Sequence, residues 1–133
     1  MGTLVDTSVL VAAQRAQIDL GAIVASDGDQ EVAIAAICAA ELLHGPHRIA
    51  NATARARVER IVEQLIAQFP IVDFDLDIAR VHARLGADLA ARGAAVGAHD
   101  LIIAATALFL DYRVATCDLR SFPRISEIDV VKW

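Results

Sequence analysis

Residues from about His99 to Leu110 read as a helix that is apolar on nearly all sides. A helix with water on one face keeps a polar stripe there; one without such a stripe has to be covered all round, so this segment belongs in the interior. Yet a carboxylate, Asp100, stands in its first turn. Three other acids have similar surroundings. Asp6 ends the strand-like run Gly2-Thr3-Leu4-Val5, Glu41 interrupts an apolar stretch from Val32 to Leu43, and Asp118 ends the run Val114-Ala115-Thr116-Cys117. An unpaired carboxylate in an apolar setting costs several kcal/mol. Few cations lie near these acids in sequence, so a shared partner is the economical explanation, and a divalent metal ion is the simplest one.

The remaining pattern alternates strand and helix, which points to an α/β fold with a mainly parallel sheet of about five strands. Strands are expected at residues 2–6, Glu31 to Ala36, Ile71 to Phe74, Arg113 to Asp118 and Ile128 to Val131. Helices are expected over Val9 to Gln17, capped by Thr7 or Ser8, over Leu20 to Ala25, and through Cys38, Glu41 and His44 until Gly45-Pro46. Residues 52–69 carry the cleanest helical periodicity, with Val58, Ile61, Val62, Leu65, Ile66 and Phe69 on one face. Asp77 to Arg92 repeats it with Ile78, Val81, Leu85 and Leu89 inward, and Gly93 ends it. Ser26 to Asp29 reads as a loop.

A chain of 133 residues fits one domain, 1–133, with a real core. Its hydrophobic fraction of 56% and mean hydropathy of +0.50 are high, and the surplus suits an oligomer or partner interface. No apolar run reaches the ~20 residues that a bilayer requires. The start, Met1 to Asp6, lacks a basic region and is no signal peptide, so a cytoplasmic protein without membrane contact is expected. Cys38 and Cys117 lie in apolar runs and read as small buried thiols. The net charge of −5 argues against coating nucleic acid by bulk charge. It leaves room for a nuclease, because a bound metal reverses the local sign of an acidic site.

In an open parallel sheet, functional groups gather beyond the carboxyl ends of the strands. Asp6 and Asp118 are at such ends, Asp100 opens a central helix, and Glu41 lies in a helix that follows a strand. All four can face one crevice. A donor set of oxygen alone suits Mg²⁺ or Mn²⁺, and the chemistry that follows is metal-assisted attack of water on a phosphodiester. With no Gly-rich phosphate loop or P-loop lysine, ATP use is not expected. Each acid also has a plainer reading. Asp6 and Asp100 could cap their helices, Asp118 could be a turn residue, and Glu41 could sit on an exposed helix face.

Four segments together resemble the PIN-domain ribonucleases, and within them the VapC toxins of toxin–antitoxin pairs. They are Leu4-Val5-Asp6-Thr7-Ser8-Val9-Leu10, Ala40-Glu41-Leu42-Leu43-His44-Gly45, residues 97–107 from Gly97-Ala98-His99-Asp100 onward, and residues 114–125 through Thr116-Cys117-Asp118. The resemblance implies a PIN-like α/β/α sandwich and a Mg²⁺-dependent endoribonuclease. It matches Asp6, Glu41, Asp100 and Asp118 to an acidic quartet. Asp6 and Asp100 would be the most direct metal ligands, with Glu41 and Asp118 acting through water or orienting the attacking water. Ser8 and Thr116 would support them by hydrogen-bonding a carboxylate or phosphate. One departure is Ser121, where members often carry a further acidic or polar group. His99 reads as a substrate-side or structural residue, since neighbours on a helix point apart.

By the same resemblance the partners are an RNA substrate and a VapB-like antitoxin that places a basic side chain among the acids. The assembly would be a homodimer, or a heterotetramer or larger complex with the antitoxin. A catalytically silent PIN-like module that binds RNA or protein is the competing reading, although such a module need not keep its acids. A signalling receiver domain is a poor fit, because Asp6 is followed by Thr7-Ser8 and the sole lysine, Lys132, is next to the last residue. A haloacid-dehalogenase-like phosphatase is another poor fit, since Ser8 stands where its second acid is required.

Overall fold

The computed structural model describes every residue of the chain except Asp29 and Ser121, and at Pro123 only the backbone. In chain order it comprises β1 (Thr3–Val5), α1 (Thr7–Gln14), α2 (Leu20–Ser26), β2 (Val32–Ala35), α3 (Ala36–His44) and α4 (Ala52–Ala67). There follow β3 (Ile71–Val72), α5 (Leu76–Ala91), α6 (Ala98–Leu110), β4 (Arg113–Thr116) and β5 (Val130–Lys132). The five strands form one sheet in the order β3-β2-β1-β4-β5. Every pairing is parallel, with Leu4 opposite Ala33 on one side and Val114 on the other. The expected α/β architecture with a central parallel sheet is therefore present.

Because β1 lies mid-sheet, the chain runs outward on one side through β2 and β3, then returns to the other side as β4 and β5. Strand order reverses at the β1–β4 boundary, and beyond the carboxyl ends of those two strands an open sheet leaves a crevice. The strands themselves are short and apolar, as expected of strands covered on both faces. Leu4, Val5, Ile34, Val114 and Ala115 are at most 2% exposed.

The all-apolar helix is central, as its sequence requires. Ile103, Ala104, Ala105 and Ala107 of α6 are buried, and the helix packs most extensively on α5, touching α3, β1 and β4 as well. Its end is sharp: Asp111 takes the left-handed conformation (φ 56°), where glycine is the commoner choice. Gly93 does the same after α5 at φ 67°, and Gly2 lies under the Tyr112 ring, leaving no room for a β-carbon.

The structure corrects the reading in places. The helix after β1 begins two residues earlier than the expected Val9 and stops at Gln14, because Asp6 rather than Thr7 or Ser8 takes the N-cap position. Ile61 faces outward at 37% exposure while Val62 and Leu65 are buried, so the inward stripe of α4 is narrower than the periodicity implied. The strand expected through Asp118 ends at Thr116, where the chain bends toward the crevice. Ile128, expected in the last strand, precedes β5 and is buried in the connecting segment. Gly45-Pro46 ends α3 without ending helical geometry, since residues Gly45–Arg48 form a 3₁₀ turn with Pro46 early in it. Among the described residues no helix is long and apolar enough to cross a membrane.

Ile103 is 1% exposed on the helix that carries Asp100. Ile103→Ala should lower unfolding free energy by about 2–5 kcal/mol, measured by urea denaturation; a loss under about 1 kcal/mol would mean that the interior is looser than described.

Candidate functional site

Three of the six α-helices are capped by a side chain in the ordinary way. Asp19, Asn51 and Asp75 each accept a hydrogen bond from the backbone N–H three residues on, at 3.0, 2.9 and 2.9 Å. Asp6 occupies the same position before α1, with extended backbone (φ −74°, ψ 155°), yet its side chain makes no capping bond. Its carboxylate turns toward β4 instead. Ser8 Oγ donates to Asp6 Oδ2 at 2.7 Å, and Thr116 Oγ1 donates to the same oxygen at 2.9 Å. The capping account of Asp6 therefore holds for its backbone and fails for its side chain.

The two hydroxyls are themselves fixed by the bend after β4. Cys117 N–H donates to Ser8 Oγ and Asp118 N–H donates to Thr116 Oγ1, each at 3.0 Å. With a lone pair of each hydroxyl taken by a backbone donor, the protons are left to point at the carboxylate. Thr116 Oγ1 is also 3.0 Å from the Asp118 carbonyl, but its single proton goes to the charged acceptor, the stronger of the two. Asp6 is 7% exposed and, among the described residues, is in no ion pair. Two neutral donors are thin compensation for a buried carboxylate.

The other three acids reach the same crevice from separate elements. Asp6, Glu41, Asp100 and Asp118 all line one pocket of about 390 Å³, together with Ser8 and Phe122. Asp100 is the third residue of α6, whose N-cap is Gly97, so the acid lies within the first turn without being the cap. Glu41 projects from the middle of α3, and its Oε1 is 3.0 Å from His99 Nδ1. Asp118 is held by Arg120, whose Nε lies 2.9 and 3.1 Å from its two oxygens and whose Nη2 lies 2.9 Å from Oδ2. Arg120 N–H also donates to Asp118 Oδ1 at 3.0 Å. The turn reading of Asp118 thus holds alongside its place in the pocket. The guanidinium keeps the Asp118 carboxyl below the ordinary aspartate range, chiefly through these hydrogen bonds.

The donor set is all oxygen and mostly carboxylate, which fits a hard divalent cation. Among the described residues no three acids, histidines or cysteines close on one point as a finished cage. Glu41 and Asp118 are turned to His99 and Arg120, and a dication would compete with those partners for them. Cys38, behind the site, is inert by burial, which pushes its thiol up to about 12. Beside it the Thr7 hydroxyl is buried against the thiol. Both cysteines are free thiols; Cys38 is buried as expected, whereas Cys117 is only partly buried.

Two site interactions were not foreseen. His99 partners Glu41 from 58 residues away, which no local pattern could reveal. Arg120 is only two residues from Asp118, and the Asp-x-Arg spacing at a turn was a usable signal. Ser121, where a fifth polar group was in question, lies outside the described residues.

A parallel sheet with a carboxylate pocket at its switch point defines a recognisable class. Residues 3–128 match the PIN domain. The chain is 34% identical over 131 residues to Ribonuclease VapC of Rickettsia bellii, covering 98% of this chain and 96% of the relative. It is 32% identical over 100 residues to the tRNA(fMet)-specific endonuclease VapC of Salmonella typhimurium, covering 75% and 74% of the two chains. Among solved structures, VapBC-5 of Mycobacterium tuberculosis, a member of the VapBC family of toxin-antitoxin systems, superposes with a TM-score of 0.79 at 29% identity, covering 99% of this chain and 98% of that one. The chain belongs to the PIN-domain family and, within it, to the VapC-like proteins.

A depressed carboxyl pKa contributes stability above the unfolded group's titration range, and that contribution is lost as pH falls through the folded value. In Arg120→Gln the Asp118 carboxyl should therefore titrate at higher pH than in the parent protein, read from its carboxyl carbon by NMR without metal. An unchanged midpoint would mean that the fork does not hold Asp118 in solution.

Proposed function

We propose that the protein is a metal-dependent endoribonuclease, the toxin of a VapBC-type pair, that hydrolyses RNA phosphodiester bonds. The observation that carries this reading is the meeting of Asp6, Glu41, Asp100 and Asp118, from four separate segments, around one pocket at the carboxyl end of a parallel sheet. The names of its relatives support it: one is a ribonuclease and one an endonuclease specific for tRNA(fMet).

In this reading Asp6 and Asp100 hold the ion most directly, Mg²⁺ or Mn²⁺, while Glu41 and Asp118 act through water or orient the attacking water. The ion, when bound, activates that water and stabilises the leaving oxygen. Ser8 and Thr116 fix the rotamer of Asp6, so the carboxylate meets the ion without first reorganising. Arg120, released from Asp118, has its planar fork available for a phosphate. The partners in the cell are an RNA substrate and a VapB-like antitoxin whose basic side chain enters the acidic pocket. The toxin works as a homodimer in the cytoplasm and joins the antitoxin in a heterotetramer or larger complex.

The test is cleavage of RNA by the purified, antitoxin-free protein with Mg²⁺ or Mn²⁺, and again with chelator. Chelation should stop it, and Asp100→Asn or Asp6→Asn should lower the rate at least about a hundredfold while the fold, followed by thermal melting, survives. Unchanged cleavage in both variants would sink the site. RNA bound but never cut by the parent protein would favour the silent binding module.

Thr116→Val deletes a donor to Asp6 and leaves every acid in place. It should cost roughly 10–100-fold in metal affinity or activity, read by metal titration of the cleavage rate. A variant with full activity at the same metal concentration would show that Asp6 needs no positioning.

A further inference from the structure

A second and larger cavity, about 670 Å³, opens beside the acidic pocket. The two share Thr7, Val11 and Glu41, so they form one continuous groove with different ends. The acidic end holds Asp6, Asp100 and Asp118. The other end is walled by Arg15, Arg48 and His44, with Val11, Ile37 and Leu42 as an apolar floor. Glu41 is its one acid, and that acid is turned to His99.

The arginines here differ from most of the others. Arg80, Arg84, Arg92, Arg113 and Arg120 are engaged with carboxylates, and Arg55 and Arg124 with backbone carbonyls. Arg57 and Arg60 line a separate hollow on α4 that shares no residue with the acidic pocket. Arg15, at the end of α1, and Arg48, at the end of the 3₁₀ turn, are exposed. Neither is in an ion pair or side-chain hydrogen bond among the described residues. In a chain of net charge −5 this is a local excess of positive charge without internal counterions. It leads directly to the pocket assigned to phosphodiester cleavage.

We propose that this end of the groove is the substrate track for single-stranded RNA. Arg15 and Arg48 hold backbone phosphates next to the scissile one, and the floor formed by Val11, Ile37 and Leu42 takes an unstacked base. This rests on the ribonuclease reading. Arginine forks suit phosphate oxygens, and a cavity of this size takes a nucleotide-sized group. A base held on an apolar floor has to be unpaired, which selects loops and single strands over duplex.

The test compares the parent protein with Arg15→Gln/Arg48→Gln, both exposed positions, after melting curves confirm an intact fold. Cleavage gives KM and kcat on one RNA, and fluorescence anisotropy gives binding of a labelled single-stranded oligoribonucleotide and of its duplex in the Asp100→Asn background. The expected result is a KM raised roughly tenfold or more with little change in kcat. Single-strand binding should exceed duplex binding. The slope of log affinity against log salt should become shallower by about 1.4, since each of the two phosphates that an arginine no longer neutralises accounts for about 0.7. Cleavage with unchanged KM and unchanged salt slope overturns the track and leaves the ribonuclease reading standing. A parent protein that cuts nothing but binds single strands through these arginines keeps the track and removes the ribonuclease. Equal binding of duplex overturns the single-strand assignment, and no binding and no cutting overturns both.

Discussion

The site depends on how one buried carboxylate is held. Asp6 leaves the middle strand of the sheet at the point where strand order reverses, and two hydroxyls, of Ser8 and Thr116, donate to it. Those hydroxyls are aimed by N–H groups of the bend after β4. The arrangement ties the first strand to the fourth through side chains as well as through the sheet ladder. It also explains why β4 is short: continuing the strand past Thr116 would take the Cys117 and Asp118 N–H groups away from Ser8 and Thr116. A strand end, a helix start and a carboxylate of the acidic pocket are thus fixed by one small network, whose members lose their partners together.

The sequence made the layers readable for a plain reason. Burial on both faces forces apolar runs in the strands, and a helix with no polar stripe has nowhere to go but the interior; the segment opened by Asp100 had no other solution. The acids were readable because carboxylates are conspicuous in such runs. Less visible was everything that depends on direction rather than composition. Ile61 has helical spacing with its neighbours and still faces water, because periodicity gives a stripe and not its width. Asp6 stands where a cap stands, and its backbone is one, but no pattern in residues 1–10 says which way the carboxylate turns. His99 meets Glu41 only because α3 and α6 are packed together, a fact of tertiary structure.

The charge distribution follows a related logic. A net charge of −5 describes the chain, but a ligand meets the local field. Carboxylates are concentrated at one end of the groove, with Glu41 and Asp118 turned to a histidine and an arginine of the protein itself. Both pairings are partly open to solvent.

The pairing of β1 with β4 has a further consequence, for the order in which the chain is made. Leu4 and Val5 register with Val114 and Ala115, near the opposite end of the sequence. Synthesis is vectorial, so Asp6 leaves the ribosome long before Thr116 and Asp118 exist to orient it. Through most of translation the emerging polypeptide has no β4 and no finished crevice. Until β4 and the bend after it have emerged, the crevice lacks the wall that Asp118 supplies.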